Sequence, residues 1–305
     1  MSYKRLGEDA FDDEKYLKAL NYFQKAYTLG DHSCELLLDL ALTYEALGND
    51  EGALATFREL LEVDPEECRA YYGIASILDE AGNLEDALPY YEKAIALNPF
   101  YDRAYFFLAS GYDELGQVEK AITYYKELLN LVPDDFWGLT NLGSIYENQG
   151  LYHEAYKLFH KAYEIDYNDA TALFNMGVIC GRLNRFEDAI LYYKKALTRD
   201  TSSPYTFLNL AVVYKDLGFC ETGIHYLTEG ISHHPETGFL YYNRACFWAT
   251  FLNQAFEQNG ILDEDLLKNV LVDFQKSIAL NEDFLPYGEK DDDLKLVLPY
   301  LYKNY

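Results

Sequence analysis

Asparagine recurs at positions 141, 175, 209 and 243, each time 34 residues after the last and inside a largely apolar stretch: LTNLG, LFNMG, FLNLA and YYNRA. A fixed period of that size constrains a fold more than composition can. Each period is one supersecondary unit that buries its apolar face only by stacking on the next. At 305 residues the chain is long for one compact core, and a repeat array accommodates it. The register runs 1–33, 34–67, 68–101, 102–135, 136–169, 170–203 and 204–237, followed by an enlarged unit at 238–284 and a capping segment at 285–305.

Within each period the apolar residues fall at helical intervals twice. Leu37, Leu40, Ala41 and Tyr44 mark a first helix in one unit, and Tyr105, Leu108, Ala109 and Tyr112 in another. Gly48, Gly82, Gly116, Gly150 and Gly218 follow, where a helix needs a left-handed terminating residue. Ala53, Phe57 and Leu60, or Ala121, Tyr125 and Leu128, then mark a second helix, which Pro65, Pro99, Pro133 and Pro235 bring to a stop. Asn184 replaces the glycine in the sixth unit, and Gly223 and Gly230 loosen the seventh.

These residues resemble the tetratricopeptide repeat (TPR) family, in the form of a bacterial-type protein built of such repeats alone, and the resemblance covers nearly the whole chain. It implies an all-α fold: a right-handed α-solenoid superhelix of antiparallel helix pairs whose first helices line a concave groove. The eighth unit carries 13 residues more than the others. Divided between its two helices, they lengthen each by about 10 Å. The first then runs to Asn259-Gly260, and LDEDLLKN opens the second with acids in its first turn.

Charge narrows the partners. Fifty-one acids against 25 bases give a net charge of -26, which repels phosphate backbones and anionic headgroups. Nucleic acid and membrane are therefore not expected partners. No run of about 18 apolar residues is present, the N-terminal stretch MSYKRLGEDAFDDEK has no apolar core to act as a secretory signal, and the five cysteines are scattered. A cytoplasmic protein with reduced thiols fits.

The family resemblance places the second, fifth, sixth, ninth, twelfth and thirteenth residues of each repeat on the groove. Asn141, Asn175, Asn209 and Asn243 occupy the sixth. A carboxamide donates and accepts at once, so it can pair with both polar groups of a bound peptide unit; an interhelical hydrogen bond is the competing reading. Tyr72, Phe106, Phe174 and Tyr242 at the fifth position and Trp137, Tyr205 and Phe239 at the second make an aromatic lining, or else pack partly into the core. Arg69 and Arg103 lie among them. Acids crowd the twelfth and thirteenth positions of the first five units (Asp12, Glu45, Asp79, Glu80, Asp113, Glu114, Glu147), at helix C-termini where the dipole disfavours them, before Arg182 and Lys215 reverse the sign. A solvated surface, or a ligand with basic and apolar residues, accounts for that pattern.

Family members that clamp a free C-terminal carboxylate use lysines and asparagines at places held here by Lys4, Glu8, Asp39, Arg69 and Gly73, and two acids there argue against such a clamp. No phosphate loop, HExxH or paired-cysteine spacing is present. His153 and His160 read as surface residues, Cys180 and Cys246 as buried small ones. The expectation is a module, not an enzyme and without cofactor or metal, that binds an extended peptide or unstructured segment in its groove. The alternative is a scaffold that docks folded partners or itself through the enlarged eighth unit.

Overall fold

The computed structural model describes residues 2–301, and these are helical throughout, with no strand among them. They form two compact units, divided between Leu142 and Gly143. In the first, α1 (Tyr3–Asp12) pairs with α2 (Tyr16–Thr28), α3 (Cys34–Ala46) with α4 (Asp50–Val63), α5 (Cys68–Glu80) with α6 (Leu84–Leu97), and α7 (Asp102–Glu114) with α8 (Val118–Leu131). The division falls inside α9 (Phe136–Asn148). The second unit continues with α10 (Tyr152–Ile165), then pairs α11 (Ala170–Arg182) with α12 (Phe186–Arg199), α13 (Pro204–Asp216) with α14 (Cys220–His233), and α15 (Gly238–Asn259) with α16 (Glu264–Leu280). Each unit is a stretch of α-solenoid in which every helix packs on the one before and the one after.

Local chemistry sets these boundaries. Ser33, Asn49, Asp169 and Asp263 cap α3, α4, α11 and α16 by accepting backbone N–H groups of the first turn. The turn inside a pair needs one residue at positive φ, supplied by Gly116 at 70° and its counterparts, but by Asn184 at 56° in the sixth unit. Glu14, at 58°, turns α1 into α2. Second helices end at Val63, Leu97, Leu131 and His233, two residues before a proline each time. Pro89 lies exposed inside α6, which runs on past it.

The core is a row of rings seated on glycines. Phe23, Phe57, Phe159 and Tyr193 project from second helices onto Gly7, Gly73, Gly143 and Gly177, so close that a Cβ on Gly177 would fall 2.6 Å from the Tyr193 ring. Small residues there let neighbouring helices approach, within a pair or, for Phe57 on Gly73, from one pair to the next.

The enlarged eighth pair departs from an even division of the insertion. α15 has 22 residues against 13 in α13, whereas α16 has 17 against 14 in α14. The nine extra residues lengthen α15 by about 13 Å. Its end is set by Gly260 at φ 64°, and Asp263 caps the next start only four residues after Asn259, so most of the insertion stays in α15.

Beyond α16 follow α17 (Phe284–Gly288), a 3-10 turn (Asp292–Leu294) and α18 (Leu298–Leu301). Leu294, Val297 and Leu301 bury themselves against Ala245, Leu252 and Phe274 of the eighth pair. The last four residues assigned to the capping segment, 302–305, lie outside the described residues. No helix of the described residues is long and apolar enough to cross a membrane.

Candidate functional site

The four asparagines do not share one environment, and the residue sixteen positions earlier, on the preceding second helix, accounts for the difference. Opposite Asn141 stands Tyr125, whose hydroxyl accepts a hydrogen bond from the Asn141 amide at 2.9 Å. Opposite Asn209 stands Tyr193, and the carboxamide makes a polar contact that lowers the phenol pKa against the burial that raises it. Phe159 stands opposite Asn175 and has no hydroxyl; Asn175 makes no side-chain hydrogen bond among the described residues. Opposite Asn243 is Leu227, fully buried, and Asn243 turns back to donate to the Phe239 carbonyl of its own helix at 2.8 Å. Three carboxamides are therefore partly engaged within the chain. Asn175, half-buried on α11, retains its full donor and acceptor capacity.

In the first unit an open cleft of about 220 Å³ lies between α7 and α9, lined by Arg103, Phe106, Phe107, Leu128, Asp135 and Trp137. Trp137 is 54% exposed and stands edge-on to Phe136, while Phe106 is half-buried against Phe107 and Tyr125. Tyr72 does not join them. It is only 8% exposed, packed by Tyr101 and Phe107 with the Arg103 guanidinium 5.3 Å from its ring centre, so it belongs to the core. Arg69 is held by the two carboxylate oxygens of Glu67, at 2.9 and 2.7 Å, and is not a free cation.

The acids of the first unit carry an electrostatic strain. Burial raises the carboxyl pKa of Glu45, Asp79 and Asp113; Glu80 adds repulsion at Glu45, and the Tyr91 hydroxyl at 3.2 Å offsets part of the effect at Asp79. Asp39, at the place the ladder residue occupies in later repeats, is pushed up to about 6 by burial, with Glu8 and Glu35 adding to the shift and Lys4 and Arg69 opposing it.

In the second unit, α11 and α13 enclose an open pocket of about 170 Å³ between Val178, Gly181, Arg182, Tyr193, Asn209 and Val212. Two of its apolar members, Val178 and Val212, escaped the sequence reading although each sits three residues, about one turn, past an asparagine, Asn175 and Asn209. Phe174 packs half-buried on Tyr193, and Tyr205, 56% exposed, stacks on Phe239 with centroids 4.9 Å apart.

The reversal of charge expected from Arg182 and Lys215 does not survive in space. Arg182 Nε is 2.6 Å from Glu147, and Lys215 Nζ is 3.3 Å from Asp293, so each cation is balanced by an acid that sequence distance conceals. Tyr242 is likewise covered. Its hydroxyl donates to Asp291 at 2.7 Å and its ring stacks on Phe284, both in the C-terminal segment. Burial pushes the Cys180 thiol up to about 11 and raises Cys246 as well, so neither supplies a thiolate near neutral pH. No cluster of three or more metal-ligating side chains occurs among the described residues.

Two tetratricopeptide repeat models match the sequence, one at residues 4–71, 38–102 and 72–136 and the other at 134–202. No curated protein matches it. Solved structures similar to this chain include a tetratricopeptide repeat protein from Parabacteroides merdae, with a TM-score of 0.62 and 18% identity over 87% of this chain and 98% of that one. The APC/C hetero-tetramer Cut9–Hcn1 is similar at a TM-score of 0.60 and 14% identity, covering 94% of this chain and 52% of that one. YrrB, a TPR protein with an unusual peptide-binding site, is similar at 0.54 and 21% identity over 62% and 97%.

Proposed function

Because the chain belongs to the tetratricopeptide repeat family, we propose that it is a non-enzymatic interaction module that binds an extended peptide, or an unstructured segment of another protein, along its first helices. The observation that carries this reading is Asn175: a half-buried carboxamide with neither donor nor acceptor used within the chain, one turn before Val178 of the α11–α13 pocket. Its unpaired atoms are not sealed from solvent, so both groups stay open to a ligand that replaces water. A bound peptide unit supplies both a carbonyl and an N–H.

The side-chain chemistry follows from the surroundings. The α11–α13 pocket has a valine floor and a polar rim, which suits an aliphatic side chain of the ligand. In the first unit, the exposed Trp137 indole with Phe106, flanked by Asp102 and Asp135, suits an arginine or lysine stacked on the rings and paired with a carboxylate. The partner is thus a protein segment with apolar and basic residues, met in the cytoplasm. YrrB, with its peptide-binding site, is a fold relative in keeping with this reading.

The experiment is selection of peptides from an unbiased display library on the full chain, followed by titration of the winners against Asn175→Ala and Asn243→Ala. Loss of about tenfold in affinity for Asn175→Ala alone, at unchanged melting temperature, supports the reading. Equal binding by wild type and Asn175→Ala overturns it.

A further inference from the structure

The last turns of α15 have no counterpart on α14. α14 begins at Cys220, and the nine-residue extension of α15 runs on beyond it. Trp248, Phe251 and Ala255, spaced three and four apart, form one stripe of α15 there. With Leu266 of α16 they wall the largest cleft described, about 500 Å³, whose rim is Glu221, Gln254 and Gln258. Trp248 and Phe251 are half-buried, their rings 6.4 Å apart, so the stripe remains open to an occupant.

We infer that this overhang is a second docking site, separate from the first-helix face, and that its occupant is an amphipathic helix of another protein with a basic polar side. The occupant is helical because the wall of the cleft is an apolar stripe at helical spacing rather than a ladder of polar groups. A helix brings its backbone already paired and presents apolar residues at the same three-and-four spacing as the stripe. The occupant is basic because the one charged residue lining the cleft is Glu221, and Glu257, Asp263, Glu264 and Asp265 cluster in the adjoining turns with no base nearer in sequence than Lys268. The same acids on both sides disfavour a second copy of this chain, which carries a net charge of -26.

Trp248 reports on the site. In a Trp137→Phe background it is the sole tryptophan of the full-length chain, which has two. The probe is a synthetic leucine–lysine helix of about four turns, and the control is the leucine–glutamate peptide of the same pattern. A saturable blue shift of Trp248 emission is expected with the lysine peptide and none with the glutamate peptide. Gln254→Arg with Gln258→Arg, at two exposed positions where little change in melting temperature is expected, should weaken the shift about tenfold. Adding Asn175→Ala should leave it intact, which separates this site from the peptide-binding face. No saturable shift, or a shift of equal affinity in the double arginine variant, overturns the inference. So does a dimer of the free chain in sedimentation that the double variant dissolves, since the occupant is then a second copy.

Discussion

The Asn141 amide donates to the Tyr125 hydroxyl across 2.9 Å and so joins α9 to the second helix before it. Tyr125→Phe takes this partner from the half-buried Asn141 amide, and Asn141→Ala leaves the buried Tyr125 hydroxyl with Ser110 alone. Tyr125→Phe and Asn141→Ala should each cost about 1 kcal/mol in urea denaturation, and the double variant little more than either alone. Asn175→Ala, facing Phe159, should cost less than about 0.5 kcal/mol.

Two glycines on α11 make opposite predictions. A Cβ on Gly177 meets the Tyr193 ring at 2.6 Å, whereas one on Gly181 meets only Val213 at 4.0 Å. Gly177→Ala should destabilise by about 1–3 kcal/mol through overpacking. Gly181→Ala should stabilise by about 0.5–1 kcal/mol through helix propensity, and thermal melts of the two variants read the sign directly.

Arg244 grips both carboxylate oxygens of Asp273 at 2.7 Å and reaches the Thr228 hydroxyl at 3.0 Å. Asp273 is 3% exposed. Arg244→Ala should cost about 3–5 kcal/mol because it leaves a buried carboxylate without a partner. Arg244→Lys should recover only part of this, since an ammonium cannot reproduce the two-pronged grip. Denaturant midpoints of both variants check the order.

Asp39 binds its proton more tightly folded than unfolded, with a folded pKa of about 6. Folding therefore takes up a proton between about pH 4 and 6, and stability is lost as pH rises through that window. Asp39→Asn should melt higher than wild type near neutral pH and converge with it near pH 4. Parallel pH profiles of melting temperature would contradict the assignment.

Glu14 holds φ 58° without a glycine's freedom. Glu14→Gly should raise stability by about 0.5–1 kcal/mol, the left-handed penalty outweighing the added chain entropy. A calorimetric melt measures it.

Helices and turns were legible in the sequence because their causes are local. The positive-φ slot, the prolines and the alternation of small and large residues lie within a turn or two of the boundary they set, and even Asn184 could be read as a substitute glycine. The candidate site was less legible because its determinants are distant. Arg182 meets Glu147 across 35 residues and Lys215 meets Asp293 across 78, so charge counted along the chain misjudged both. Tyr72 shares the repeat position of Phe106, yet its burial depends on Tyr101 and Phe107, which no other repeat duplicates. The uneven growth of α15 turned on where Asp263 could cap the next helix.

The phenol of Tyr193 touches helices on both of its sides, its ring on Gly177 of α11 and its hydroxyl against Asn209 of α13. It is a strap across a seam. The seam behind Phe159 has no such strap, and the seam behind Leu227 is held instead by Arg244 on the Thr228 hydroxyl at 3.0 Å, so in the second unit resistance to bending is graded from one hairpin to the next. Pulled from its ends, this stretch should part first at an unstrapped seam, and Phe159→Tyr should raise the force at which the α10–α11 seam yields.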